Sequence, residues 1–285
     1  MKNNTLLLAA LGTACVATGS ATAGDELVDS ITTGSATVAN HLVDSAGATE
    51  SKLTGSVSLD YNSHFISYGL DVWGGGDNLT DEDTFNPSVS INYQINDALS
   101  VQTGFWLDIN DNDASFDPGS DFDTQETDTW VGVTYTHGIA SYSATYQSWN
   151  YAGDTEEILD FAVAFDTFLS PSLLIHVRSD AGAANSAPGS EADEGTFAVL
   201  SASHSFSVTD RFSVSVPVAV GFALDSFHTS EDGYAYTSVG LQGSYALDDA
   251  ASINFGLTYY NNDDAVTGNL EENFITTNVG ISYSF

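Results

Sequence analysis

Basic residues are almost missing from this chain. Lys and Arg together number 4, against 39 Asp and Glu among 285 residues, which gives a formal net charge of -35 at pH 7. Nucleic acids and anionic lipid surfaces would repel such a protein, because both are themselves strongly negative. The composition therefore excludes DNA and RNA binding, and it excludes docking to a membrane through a basic patch.

Cysteine is equally scarce, because Cys15 is the only one. It lies in an apolar run, residues 5–16, that is followed by small residues ending in Ala-Thr-Ala. This pattern predicts a signal peptide over residues 1–23, cleaved before Gly24, so that disulfides and thiol chemistry are excluded afterwards. Acylation of Cys15, as in a lipoprotein, is the alternative, but Gly12 stands where Leu is usual.

Long apolar runs are missing beyond the predicted signal peptide. No later run approaches the ~18–20 residues of a membrane-spanning helix, so any insertion into a membrane must use strands. Residues 24–51 are polar and rich in Ser, Thr and Ala, with one helix-spaced apolar set. They predict an N-terminal periplasmic segment that is a mobile tail, a short helix or a plug.

Alternation of apolar and polar residues is abundant instead, and the C-terminal segment, residues 274–285, has it most clearly. Val279, Ile281, Tyr283 and Phe285 alternate with small or polar residues, which predicts a strand with one apolar face. A last strand that ends on Phe resembles the ending of bacterial outer-membrane β-barrels. That resemblance implies that Tyr283 and Phe285 act as a signal for the barrel-assembly machinery.

Eleven further segments repeat this alternation, and short and long connections follow each other along the chain. An even strand number with alternating connection lengths predicts an all-β fold, a closed antiparallel transmembrane β-barrel of about 12 strands over residues 52–285, located in the outer membrane. The predicted strands are 53–73, 86–96, 99–109, 128–137, 140–151, 158–166, 172–179, 196–206, 212–223, 234–247, 251–260 and 274–285.

Within the first predicted strand, the apolar positions change from odd to even numbers between Tyr61 and Ile66. An extra residue in a bulge would produce this change and let the strand continue. The string from His64 to Trp73 resembles the opening strand of the TorF-like family of porins, although the family's Arg is missing here. The resemblance implies a barrel and a porin-like function.

The lumen is predicted to be polar and nearly uncharged, because inward positions are mostly Ser, Thr, Asn, Gln and Gly. An exception is expected near the outer mouth, where His176 and Arg178 share the inward parity with Asp160. A hairpin centred on Leu169 would pair Arg178 with Asp160, and we expect these three residues to form a constriction. Solvation of Arg178 among the outer loops is the alternative.

Most carboxylates fall in the predicted outer loops, where they would concentrate cations at the mouth, or simply keep the surface soluble. Asp108, Asp111 and Asp113 are spaced like the first ligands of a calcium loop, but the Gly and Glu that an EF-hand needs are missing. A weakly bound divalent cation is expected there, and no other cofactor.

Taken together, these features predict a porin-like channel for passive diffusion of small polar or cationic solutes. Its partners would be outer-membrane lipid, the assembly machinery and small solutes, with no nucleic acid. The alternative is a non-conducting barrel whose acidic loops serve surface interaction or envelope integrity. No histidine lies in a recognisable catalytic pattern with Ser or a carboxylate, so enzymatic activity is not expected.

Overall fold

A computed structural model describes residues 52–80, 82–112, 123–186 and 190–285. The residues between and before these ranges, including the predicted signal peptide, Asp113 and the 24–51 segment, lie outside the description. The elements are β1 Leu53–Asn62, β2 Ile66–Ser67, β3 Leu70–Asp71, β4 Thr84–Asn96, β5 Leu99–Asn110, β6 Asp123–His137, β7 Ala140–Tyr151, β8 Asp154–Phe165, β9 Ser172–Asp180, α1 Gly182–Ser186, β10 Thr196–Ser207, β11 Phe212–Leu224, β12 Gly233–Ala246, β13 Ala251–Asn262, α2 Asp264–Thr267 and β14 Asn273–Ser284.

Twelve of these strands form a closed barrel in which each pairs with its neighbours in sequence, while β2 and β3 form a separate hairpin. Closure is made by β1 and β14, which pair antiparallel from Ser56↔Ser284 to Asn62↔Asn278. The predicted closed antiparallel barrel of 12 strands is therefore confirmed. The strand bounds agree with the prediction to within one residue except in β1, at the starts of β4, β6 and β8, and at the end of β13.

The barrel exposes its apolar side chains on the outside, which reverses the arrangement of a soluble protein. Along β13 and β14 most of the alternating exposed residues are apolar or aromatic, while the residues between them are mostly buried Ser, Thr or Asn. The exposed members of these two strands are Ile253, Phe255, Leu257, Tyr259, Ile275, Val279, Ile281 and Tyr283. No helix of the described residues is long and apolar enough to span a membrane.

The turn between β7 and β8 is tighter than predicted. Ala152 and Gly153 both have positive φ, 51° and 80°, as a two-residue type I′ hairpin requires. The ladder therefore begins at Tyr151↔Asp154. The acidic residues that follow Gly153, which read as part of a loop in the sequence, belong to β8, and Glu156 faces the lumen.

Strand β1 ends at Asn62, so the prediction that it continues to residue 73 is wrong. The change of parity marks the place where the chain leaves the wall, and residues 63–76 turn into the lumen, where β2 and β3 form their hairpin. The string that resembles TorF-like porins lies mainly in this part. We call residues 63–76 the luminal segment.

The lumen has two zones, of which only one was predicted. Toward the short turns it is lined by small polar residues, as in the bonds of Ser252 to Ser282 and of Gln242 to Thr258. Toward the long loops it is filled by an apolar and aromatic cluster. Its largest fully buried members are Tyr68, Tyr236, Tyr260, Phe197, Phe227, Ile66 and Ile158.

Pro217 interrupts one ladder, as its missing N–H predicts. Pairing of β11 with β12 runs to Ser215↔Gln242 and resumes at Val218↔Val239, while a register shift occurs later, between Gly221 and Phe222. On its other side Pro217 keeps its place opposite Ser203. The break is therefore local.

Deletion of Phe285 should lower the yield of inserted barrel more than it lowers the unfolding free energy of barrels that have folded. Phe285 exchanges two backbone hydrogen bonds with Gly55, and their loss costs only about 1–3 kcal/mol, whereas the assembly machinery is expected to read the terminal aromatic residue. Outer-membrane yield and urea unfolding of the purified barrel measure the two effects. Phe285→Tyr is the control that keeps the aromatic ring, and equal yields for all three chains would refute this role.

Candidate functional site in the barrel lumen

The luminal segment touches most of the circumference of the barrel wall. Phe65 packs on Trp106 of β5 with ring centroids 5.0 Å apart, and His64 stacks on Phe274 of β14 at 5.9 Å. The indole N–H of Trp73 donates to Asp108 at 3.0 Å. On the opposite side of the barrel, Tyr68 contacts His176 of β9 and Phe197 of β10, so the segment crosses the outer half of the lumen.

Tyr68 is the most enclosed residue of the luminal segment. Its ring lies 4.1 Å from that of His176 and 5.2 Å from that of Phe197, centroid to centroid, and the side chain has no exposed surface. Its backbone φ is 49°, in the left-handed region, which costs a bulky residue about 1–2 kcal/mol. The packing of the Tyr68 ring against His176 and Phe197, at the tip of the β2–β3 hairpin, compensates for this strain.

Gly69 follows Tyr68 and could not be replaced without moving the hairpin. Its φ is 87°, and a Cβ atom there would meet the ring of Tyr236. The hairpin therefore lies directly against β12. Asn269, in the connection between β13 and β14, donates to Gly69 O and accepts from Asp71 N, both at 2.7 Å. One side chain thus binds the hairpin backbone as a neighbouring strand would.

His176 and Asp160 lie together on the inner face, directly opposite each other in the ladder. The Nδ1 atom of His176 is 2.6 Å from Asp160 Oδ1 and 2.6 Å from the hydroxyl of Tyr68. Asp160 Oδ2 accepts from the amide of Gln147 at 2.5 Å. His176 Nε2 is buried and has no hydrogen-bond partner.

Arg178 pairs with Glu156, so the predicted pairing with Asp160 is wrong. Asp160 lies opposite His176, and a register shift between Glu157 and Ile158 brings Glu156 within reach, with Arg178 Nε donating to its carboxylate at 2.5 Å. The prediction failed because the β8–β9 hairpin is centred on Phe168 and not on Leu169, as the pair Ala164↔Ser172 shows. All three predicted constriction residues nevertheless face the lumen and are buried.

The guanidinium of Arg178 also fastens two outer connections. It donates to the carbonyl oxygens of Asp193 and Phe227, and its Cζ lies 3.9 Å above the centre of the Phe227 ring. Glu156 in turn accepts from the hydroxyl of Tyr151 at 2.6 Å. Through these contacts, Arg178 connects strand β9 of the wall to the two outer connections that contain Asp193 and Phe227.

Two titratable groups near the luminal segment have shifted pKa values. Burial, followed by the neighbouring Arg178 guanidinium, lowers the pKa of His228 to about 3. His228 lies in the connection between β11 and β12, and its Nε2 donates to the carbonyl of Tyr68 at 3.2 Å. Burial raises the pKa of Asp71, against the opposing effects of His64 and of backbone N–H donors.

Carboxylates gather on one side of the outer lumen, which we call the acidic wall. Pairing of β5 with β6 sets Asp108 opposite Glu126 and Trp106 opposite Asp128, and Glu156 follows two strands further on. Asp108 accepts from Thr84, from the amides of Asn86 and Asn110 at 3.1 and 2.9 Å, and from Trp73. Four donors thus surround this one carboxylate.

The expected divalent-cation site at Asp108, Asp111 and Asp113 stays a prediction. Asp108 is fully buried on the inner face, Asp111 is exposed beyond the end of β5, and Asp113 lies outside the described residues. Among the residues that are described, no group of three or more His, Cys, Asp or Glu side chains is placed to hold a metal ion.

Sequence reasoning missed several residues of the site. Tyr68, Glu156, His228 and Asn269 were not predicted to meet in the lumen. The change of parity before Ile66 and the Tyr-Gly pair at the hairpin tip are the signals that could have pointed to them. The contacts of Glu156, His228 and Asn269 join different strands or connections, and no local sequence pattern indicates them.

Comparison with known proteins supports the fold alone. No protein-family model and no curated protein sequence matches the chain. Among solved structures, a COG4313 outer membrane channel from Pseudomonas putida F1 is similar, with a TM-score of 0.54 and 12% identity over 86% of this chain and 100% of that one. A KdgM porin (TM-score 0.46, 10% identity, 81% and 99% covered) and a NanC porin (0.46, 9%, 80% and 98%) are also found. The predicted β-barrel fold is confirmed.

Arg178→Ala should destabilise the barrel, because it leaves the buried Glu156 without its cation. Removing one partner of a buried ion pair costs about 3–5 kcal/mol. Arg211→Ala is the matched control, since Arg211 is exposed in a short turn, and should change the unfolding free energy by less than about 0.5 kcal/mol. Urea unfolding in detergent measures both, and equal effects would contradict the structural role of Arg178.

Proposed function

We propose that the protein is a narrow outer-membrane channel for small polar or cationic solutes. The observation that carries this proposal is the charge distribution of the inner face. The outer half has the acidic wall, the inner half is lined by small uncharged polar groups, and the Arg178 guanidinium of the inner face is already bound to Glu156. A cation would find carboxylates along this path, and an anion would find no available arginine among the described luminal residues.

The preference for cations follows from electrostatics in a confined space. Carboxylates along a low-dielectric wall raise the local concentration of cations and lower that of anions. The neutral polar lining below can replace part of a hydration shell without binding an ion tightly, which permits passage. Twelve strands lie between eight-strand barrels, which side chains can fill, and sixteen-strand porins with an open aqueous channel.

A non-conducting barrel is the second candidate, and one observation favours it. The apolar cluster around Tyr68, Phe197 and Tyr236 fills the outer half of the lumen, and its members have almost no exposed surface. If this cluster is permanent, the acidic outer connections would be the functional surface. Electrical recording separates the two candidates directly.

Reversal potentials across a planar bilayer in a tenfold KCl gradient should show preference for K⁺ over Cl⁻. Asp108→Asn should reduce this preference, because it removes a carboxylate of the acidic wall without changing its size. Asp111→Asn is the matched control and should reduce the preference less, since Asp111 is exposed outside the lumen, where salt screens its charge. Anion preference would contradict the proposal, and a folded barrel without conductance from pH 5 to pH 8 would favour the second candidate.

A further inference from the structure

Tyr68 is held at both ends by imidazoles from two different parts of the chain. Its hydroxyl meets Nδ1 of His176 at 2.6 Å, and its carbonyl oxygen accepts from Nε2 of His228 at 3.2 Å. His64, a third histidine, lies in the luminal segment itself and donates from Nε2 to Gly76 O at 2.9 Å. Three of the six histidines of the chain thus hold this segment.

The Nδ1 atom of His176 cannot bind both of its neighbours in the same way. An unprotonated Nδ1 accepts from the hydroxyl of Tyr68, whereas a protonated Nδ1 donates to a carboxylate. Asp160 Oδ1 lies 2.6 Å from Nδ1 and makes no hydrogen bond in this structure. Protonation of His176 therefore exchanges the bond to the luminal segment for a bond to the wall.

Protonation of His228 is unfavourable at this site for a different reason. It packs against Phe227 and Phe197, with ring centroids 4.7 and 5.7 Å apart, and the Arg178 guanidinium is its cationic neighbour. A second positive charge there would be partly desolvated and repelled. Because the lowered pKa of about 3 belongs to the arrangement in which residues 63–76 fill the lumen, His228 does not destabilise that arrangement above about pH 6.5 and destabilises it progressively as the pH falls toward 3.

The other charged groups around His176 and His228 do not cancel the effect of protonation on the contacts with Tyr68. Strand β8 contributes Asp160, which attracts protonated His176 away from Tyr68, and Glu156, whose charge is bound to Arg178 of β9. The luminal segment contributes Asp71, which lies 3.9 Å from His64. Protonation of His176 therefore removes its bond to Tyr68. Protonation of His228 keeps the Nε2–H donor to Tyr68 but leaves a desolvated positive charge beside Arg178.

We propose that residues 63–76 are a displaceable plug, latched by Tyr68 between His176 and His228, and that acidification releases it. The strained backbone of Tyr68 favours release once its bond to His176 is lost and His228 carries a charge. Displacement would connect the acidic wall to the polar inner lumen. The proposal deepens the proposed function, since it supplies the regulation of the same path.

Cysteine labelling tests the latch without requiring conductance. Ile66→Cys, in a Cys15→Ser background, places the only thiol on a side chain with no exposed surface. Tyr68→Phe should raise its rate of labelling by a small maleimide at pH 7.5 about three- to tenfold, because one hydrogen bond is lost while the ring stays. Leu70→Cys, on the other strand of the hairpin, is a second reporter in case Ile66→Cys folds poorly.

The matched control is Tyr236→Phe, which removes another fully buried hydroxyl of the same cluster. The hydroxyl of Tyr236 has no hydrogen-bond partner, and its ring stays against Gly69. Tyr236→Phe should therefore leave the labelling rate unchanged. Equal rates for the parent, Tyr68→Phe and Tyr236→Phe would overturn the latch.

The effect of acidification is tested with the same cysteine reporters in the protein that keeps Tyr68. Labelling at pH 5.5 and pH 7.5 is divided by that of Ser207→Cys, an exposed position on the opposite rim, so that the thiolate fraction cancels. The ratio should rise about three- to tenfold at the lower pH, and a constant ratio would overturn acid release. Release without conductance in any variant would support the plug and contradict the proposed channel.

Discussion

Closure of the sheet by pairing β1 with β14 is the constraint on which the rest of the structure depends. An unpaired backbone N–H or C=O in hydrocarbon costs several kcal/mol, so only a sheet without edges can cross a bilayer. Once closure is made, the two-residue period sends alternate side chains to lipid and to the lumen. The outer face becomes apolar, and every polar or charged residue of the wall has to find its partners inside.

The inward-facing polar residues find their partners in two different ways. Near the short turns, small polar side chains bond to one another across neighbouring strands, as Ser252 does with Ser282 and Asn254 with Ser244. Near the long connections, the luminal segment brings its own apolar residues inside and encloses a few ionic pairs among them. A buried pair such as Arg178 with Glu156 is costly to break, so it holds the outer connections over the luminal segment.

Local alternation predicted the barrel, its strand number and its outer face, because each strand carries its own period of two. The luminal segment could not be predicted in this way, since Ile66, Tyr68 and Leu70 keep the same period as a wall strand. What turns them inward are contacts with residues such as Asn269, about 200 positions away in sequence. Glu156 was missed because an acidic run resembles a loop unless the distant Arg178 is known to lie opposite.

A polar path should exist behind the luminal segment, and removal of that segment tests this most directly. Residues 65–72 would be replaced by a short Gly-Ser linker, and the conductance of the refolded barrel compared with that of the native protein at pH 7.5. We predict a larger, cation-preferring conductance for the variant, because the acidic wall and the polar inner lumen would then be continuous. A variant that is folded, as its resistance to unfolding shows, but does not conduct would contradict the account.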